Sequence, residues 1–372
     1  MTKKRIALGA VTAVSTFIIP IAAVVSCGDK QEMGKTALLM DKTTNLKTNS
    51  FSRGILTGIK GADATGFATN VKEDTTSSHA DKIKELKARG VKNFVLGSFA
   101  MDPEKISKVL GENKTPNLIS VDQDKSSTTN KHIASVSAKA QEGAFLGGYL
   151  VAKHMHSPEF KSKQAFQDGK LKFGYVFGYR FSSVTDFLYG IINGMKYYEK
   201  VNKISQKDAI EIIGGNGHDK DFFAQAWNSA DTKYQTVWNR LISNKPDVVI
   251  GSPENAIKFN KTKSGNKLPW IGTDIDATKQ FPLSKDQVLL SIRKHIGIGV
   301  AKVLETLKKN NFDMTKLNKK ERFFKGGIAD GTMDLTGGII SQKDINDIYK
   351  PSTGAWKNAL DVKVNDVTQV PE

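Results

Sequence analysis

"VKNFVLGSFAMDPEKISKVLGENKTPNLISVD", Val91–Asp122, reads as strand, helix, strand. Val91–Ser98 is an apolar run closed by Gly97 and Ser98, the pattern of a strand buried on both faces. Asp102–Gly111 opens with Asp102 and Pro103, an N-cap followed by a residue suited to the first helical turn, and stops at Gly111. Asn117–Asp122 is again apolar and ends in an acid. Two buried strands joined through a helix pair in parallel, because a tight turn cannot return the chain in the same direction.

The same alternation runs outward from this unit. Upstream, "TALLMD" (Thr36–Asp41) predicts a strand. "SFSRGILTGIKG" (Ser50–Gly61) predicts a helix capped by Ser50, with Phe51, Ile55 and Ile59 on one face. A strand is expected within "ADATGFATNV", then a helix in "DKIKELKARG" ending at Gly90. Downstream, "HMHSPEFKSKQAFQDGK" is a polar surface segment near a lobe boundary. Strands at Leu171–Gly178, Ala209–Gly215, Pro246–Ser252, Leu268–Asp276 and Gln287–Lys294 then alternate with helices at Ser183–Lys200, Asp231–Lys245 and Ile296–Asn310. The second half repeats the grammar of the first without its letters. The expected architecture is α/β, two doubly wound parallel-sheet lobes with a ligand cleft between them.

The N-terminus bounds the cellular setting. Lys3, Lys4 and Arg5 precede an uncharged, mostly apolar run from Ile6 to Val25, and Val24-Val25-Ser26-Cys27 follows as a lipoprotein cleavage box. Residues 1–26 are therefore expected to be a lipoprotein signal peptide, with 27–35 a tether lipidated on Cys27. Cys27 is the only cysteine, so lipidation leaves no thiol for a disulfide, a metal or a nucleophile. The net charge of +17, or +14 without the three leader cations, is carried mainly by lysine. No zinc-finger, RNP or helix-turn-helix pattern accompanies it, so a specific nucleic-acid partner is not expected.

Acids recur where apolar strands end: Asp41, Asp122, Asp274 and Asp276. Ligands of open parallel sheets bind beyond the carboxyl ends of the strands, and a carboxylate there accepts hydrogen bonds from vicinal hydroxyls. Aspartates in such places also serve as helix N-caps and turn formers. Phe51, Phe99, Phe177, Tyr179 and Phe181 occupy corresponding loop positions, where rings stack on a base or sugar face or pack into the core. No G-x-S-x-G, P-loop or H-E-x-x-H is present, and His154 and His156 in "HMH" form no metal motif. Neither a catalytic residue, nor a metal, nor a cofactor is expected.

Taken in order, the motifs resemble a known family. These are "MDKTTNLKTNSFSRG", "EGAFLGGYLVAKH" (Glu142–His154), "KFGYVFG" with Val184, Phe187, Gly190 and Gly194, "PDVVIGS", "WIGTDID", "VLLSIRK" and "GGIADGTMDLT". The chain is similar to the basic membrane protein (Bmp) family of ABC-transporter substrate-binding lipoproteins, nucleoside-binding type. That resemblance implies a type I periplasmic-binding-protein-like fold with three crossings. Lobe 1 would span 36–155 with a return at about 277–310, and lobe 2 would span 156–276 with a return at about 311–372. It implies a small-molecule ligand, a nucleoside before a sugar or other metabolite, bound by Asp41, Phe51, Ser52, Asp122, Phe177, Tyr179, Asp274, Asp276 and Lys294. It further implies a non-enzymatic protein held at the extracytoplasmic membrane face, with separate permease and ATPase partners. In the opening loop, Lys47, Thr48 and Asn49 precede Ser50-Phe51 where relatives carry acids, and Ser52 replaces an asparagine. A basic surface adhesin is the reading from another class.

Overall fold

The computed structural model describes residues 35–98, 100–163, 169–214, 222–226, 231–251, 268–350 and 354–360. The leader, Cys27 and Phe99 lie outside these.

The chain enters through β1 (Thr36–Met40) and an opening loop into α1 (Ser50–Ala62), then β2 (Phe67–Asn70), α2 (Thr76–Ala88), β3 (Asn93–Leu96), α3 (Pro103–Leu110), β4 (Asn117–Val121) and β5 (Ile133–Ala138). Asn49, rather than Ser50, caps α1: its side chain accepts the Ser52 backbone N–H at 2.8 Å. Asparagine and serine are near-equal caps, so local sequence leaves the choice open by one residue. Asp102 caps α3 and Pro103 follows it, as the pattern demands.

Continuing, α4 (Ala140–Met155) and α5 (Pro158–Ser162) lead to β6 (Lys172–Val176), α6 (Ser182–Val201) and β7 (Glu211–Ile212). Next come α7 (Thr232–Ser243), β8 (Val248–Gly251), β9 (Trp270–Asp274), α8 (Ala277–Gln280), β10 (Val288–Lys294), α9 (Ile296–Lys309), β11 (Phe323–Gly326) and β12 (Met333–Gly337). Two six-stranded sheets result, in the orders β11-β5-β4-β3-β1-β2 and β12-β10-β9-β8-β6-β7. Every pairing is parallel except that of β12 with β10. The β1, β3, β4 and β5 strands of the first sheet are buried along their whole length, as strands covered on both faces must be.

In each sheet the strand order reverses at one place, between β1 and β3 in the first and between β6 and β8 in the second. Such a reversal opens a crevice at the carboxyl ends of the two strands. Three segments carry the chain between sheets: from β5 into α4, from β10 into α9, and from β11 to β12. They are laced together where they run side by side. The Lys139 N–H donates to Gly326 O at 2.7 Å, His295 N–H to Thr332 O at 2.7 Å and Met333 N–H to Gly327 O at 3.0 Å.

Lobe membership differs from the expected limits. Residues 288–294, expected to return to the first lobe, form β10 in the middle of the second sheet. Residues 323–326, expected in the second, pair with β5 of the first. Helix α4, expected in the first, packs on α6 through glycines. A buried parallel strand presents the same apolar run to either sheet, so its address is decided by partners far away in sequence. Among the described residues no helix is long and apolar enough to cross a membrane.

Candidate functional site

Lys294 ends β10, and its side chain is only 1% exposed. Burying an ammonium costs several kcal/mol unless it is paired and hydrogen-bonded. Both conditions are met. Nζ donates to the two carboxylate oxygens of Asp122 at 3.1 Å each and to Ser183 O at 3.0 Å. It pairs with Asp274 Oδ1 at 3.2 Å and lies 4.6 Å from the centre of the Phe187 ring. Burial opposes the charge, but Asp122 and Asp274 outweigh it and hold the ammonium above its ordinary range.

The partners come from both halves of the fold. Asp122 follows β4 of the first sheet, Asp274 closes β9 of the second, and Ser183 and Phe187 lie in the first turns of α6. The carboxyl ends of β4 and β9 therefore face each other across Lys294. Asp122 and Asp274 both have left-handed backbones, φ 56° and 66°. Aspartate tolerates that conformation better than most residues, and it lets a side chain turn out of the strand line at its end.

Asp186, one helical turn after the α6 start, completes the surroundings. It is 4% exposed, its Oδ1 has no hydrogen-bond partner, and burial pushes its pKa up to about 6 against the pull of Lys325 and Lys294. Three carboxylates around one lysine leave surplus acceptors, which suits a ligand that brings hydroxyl or amino donors. Asp186 and Ser183 were not singled out from the sequence, and Phe187 was named only as a motif residue, not as a contact. The only signal was an acid, Asp186, within the first turns of the helix in "SVTDF".

The other expected residues divide. Asp276 caps α8 through Oδ1, accepting the Lys279 N–H at 3.3 Å and the Thr278 hydroxyl at 2.7 Å, while its Oδ2 lies 3.3 Å from the Lys279 ammonium. Phe177 is 4% exposed and stacks on Phe223 with centroids 6.3 Å apart. Its period-two alignment with Phe173 and Tyr175 carries it into the core with them. Tyr179 and Phe181, beyond β6, stack on each other at 5.7 Å, and Phe181 stays 45% exposed. Phe51 is half-buried in the first turn of α1 against the core, and Ser52 beside it is buried.

Asp41 does not join Lys294 in any ion pair or hydrogen bond. It stands after β1 in a second cluster with Asp74 and His79, whose ligand atoms lie within 4.8 Å of one another. Burial raises the Asp41 carboxyl, with the Ser98 hydroxyl opposing, and burial lowers His79. His154 and His156, read from the sequence as part of a polar surface segment, instead sit at the C-terminal end of α4: the first lies edge-on to Phe160 and the second contacts Glu199 at 3.3 Å.

Comparison with known proteins bears on the whole arrangement. Residues 43–216 match the family model described as "ABC transporter substrate-binding protein PnrA-like", Bmp. Basic membrane protein A of Borreliella burgdorferi is 27% identical over 309 residues, 78% of this chain and 79% of that protein. Among solved structures, an ABC transporter solute-binding protein from Aeropyrum pernix K1 superposes with a TM-score of 0.58 at 15% identity, covering 86% of this chain and 80% of that one. A transcriptional activator of the comK gene from Bacillus halodurans superposes with 0.59 at 14% identity, covering 87% and 98%. The second likeness shows that the fold alone does not assign a role, so the family match carries that weight. The two sheets are those of the type I periplasmic solute-binding fold, and residues 43–216 match the Bmp, PnrA-like family of ABC transporter substrate-binding proteins.

Proposed function

We propose that this chain captures a nucleoside between its two lobes and delivers it to an ABC permease powered by a separate ATPase. The observation that carries this reading is the buried Lys294, on which Asp122 of one sheet and Asp274 of the other converge. Two fixed carboxylates offer paired acceptors to the vicinal hydroxyls of a ribose, and Lys294 holds them at one spacing before the ligand arrives. The stacked Tyr179–Phe181 pair, with Phe51 and Ser52 at the start of α1, supplies a ring platform for a base. Lobes joined by three laced strands close by a hinge when both halves contact one ligand. In this reading Cys27 carries the lipid anchor, the domain stands at the extracytoplasmic face of the cell membrane, and nothing in the site calls for catalysis.

Without acids between Lys42 and Phe51, the opening loop offers the ligand no carboxylate beyond Asp41, which makes a free sugar the second reading. Calorimetric titration of the purified protein with purine and pyrimidine nucleosides, free bases, ribose and hexoses separates the two. A nucleoside is expected to bind one-to-one, and Asp274→Asn to weaken it roughly 10- to 100-fold, the value of a hydrogen bond to a charged group. A response to sugars alone would transfer the site to the second reading. Silence toward every compound would leave only the salt-sensitive surface binding of an adhesin.

A further inference from the structure

We propose that Asp41, Asp74 and His79 form a binding site for a divalent transition-metal ion, with Zn2+ as the fitting chemistry, that pins the opening loop of the first lobe. The proposal does not depend on which ligand the lobes capture.

Its basis is a pair of buried polar atoms left without partners. His79 is 3% exposed and its Nε2 makes no hydrogen bond; Asp41 Oδ1 is equally buried and equally unpartnered. Buried polar atoms nearly always have a partner, so an orphan calls for a group that the protein chain does not supply. These two belong to residues from different elements, Asp41 at the end of β1 and His79 in α2, that meet in one cluster. A carboxylate and an imidazole at hydrogen-bonding distance would satisfy each other directly. They remain unbonded here, although their ligand atoms and that of Asp74 lie within 4.8 Å of one another.

The donor set is one nitrogen and two carboxylate oxygens, which suits Zn2+ or Mn2+ better than the all-oxygen shells of Ca2+ and Mg2+. Bonds of about 2.1 Å at tetrahedral angles place such donors about 3.4 Å apart, so the cluster closes by about 1.4 Å at most on binding. Asp74 is exposed and free to supply that movement. One of its oxygens accepts the Lys42 backbone N–H at 2.7 Å, which leaves the other for the ion. The nearest cation on the loop, Lys42, is occupied by Glu73 at 3.1 Å. Two carboxylates balance a doubly charged ion, and water fills the remaining positions.

The consequence is mechanical. Asn70 already holds the loop by its backbone, donating to Asp41 O and Thr44 O at 2.7 Å each. A metal on the Asp41 side chain adds a second tie at the root of the loop that leads into α1 and Phe51.

The test is titration of the purified full chain with Zn2+, Mn2+, Mg2+ and Ca2+, read by calorimetry and by the shift in melting temperature. One equivalent of Zn2+ is expected to bind and raise the melting temperature, while millimolar Mg2+ and Ca2+ fail to compete. Asp74→Asn changes only an exposed side chain and keeps the shape of the loop. It and His79→Gln are both expected to weaken Zn2+ by more than the roughly 10- to 100-fold that outer partners of a metal ligand cost. Zn2+ binding retained at full strength in Asp74→Asn would place the ion elsewhere, on a surface histidine, and overturn the site. So would the absence of any binding by the unaltered protein.

Discussion

Lys294 and Asp186 stand a few residues apart in space but face opposite electrostatic problems. The lysine is buried among acceptors and stays charged; the aspartate is buried with too few donors and resists charging. For Asp186 the sign follows from where its two pKa values lie. Its folded pKa of about 6 stands above the 3.8 of the unfolded chain. Above pH 6 the group is ionised in both states and burying it costs about 3 kcal/mol. As pH falls through 6 the folded protein takes up the proton first, and the cost is gone near pH 4. Asp186→Asn is therefore expected to be the more stable protein at pH 7.5, by up to about 3 kcal/mol, with the difference fading by pH 4. Urea unfolding of both proteins across that range checks it, and a difference that does not change with pH would remove the buried charge as its cause. Retaining such a residue beside Lys294 is understandable if a ligand donor satisfies it. At this scale the acids Asp122 and Asp274 stood out as strand-end residues and Lys294 came only from the family resemblance; that the three meet in one ion cluster is what the structure adds. That Asp276 caps a helix while Asp274 meets Lys294 was not legible, since two residues apart they share one strand end and only the path of the chain separates them.

Among the elements, α4 and α6 show why "EGAFLGGYLVAKH" and the glycines at 190 and 194 take the form they do. A Cβ on Gly148 would stand 2.1 Å from Ile191 O, and one on Gly194 would stand 2.0 Å from Phe145 O. The two helices touch backbone to backbone, and no side-chain adjustment relieves such a clash. Gly194→Ala is expected to cost about 1–3 kcal/mol or more, outweighing the roughly 1 kcal/mol that alanine gains over glycine within a helix. Gly54, exposed in α1 with nothing within 4 Å of its Cβ position, is the control. Gly54→Ala should stabilise by about 0.5–1 kcal/mol. Chemical unfolding of the two variants reads both signs, and a neutral Gly194→Ala would mean that the helices separate at no cost. Element type was legible almost throughout because periodicity and caps are local. The lobe assignments of β10, β11 and α4 were not, because they rest on non-local contacts, such as Leu290 beside Gly337, Gly148 against Ile191 and Phe323 beside Ser135.

At the scale of the whole molecule, the three laced crossings tie the lobes together on one side and a small contact joins them elsewhere. Gln280, at the end of α8, donates from Nε2 to Thr48 O of the opening loop at 2.9 Å and hydrogen-bonds through Oε1 to the hydroxyl of Ser50, the first residue of α1 in the first lobe. The Lys294–Asp122 pair also crosses between lobes, but it is buried and costly to break, whereas the Gln280 contacts lie near the surface. Hydrogen bonds of this kind contribute about 0.5–1.5 kcal/mol each, so together they bias an open–closed equilibrium by roughly 5- to 100-fold. Gln280→Ala removes both without touching Asp122, Asp274 or Lys294. If the latch holds the lobes together, small-angle scattering of the ligand-free variant should give a larger radius of gyration than the unaltered protein. Saturating ligand should restore the compact value, because contacts from both lobes to one molecule replace those lost. Affinity should fall by about the factor that the closed population loses, since a ligand that reads the closed form must first recover it. A variant with unchanged scattering and unchanged affinity would show that the crossings and the buried lysine pair hold the lobes unaided. Closure would then be governed from the hinge side, by the strands around Lys139, His295 and Gly327.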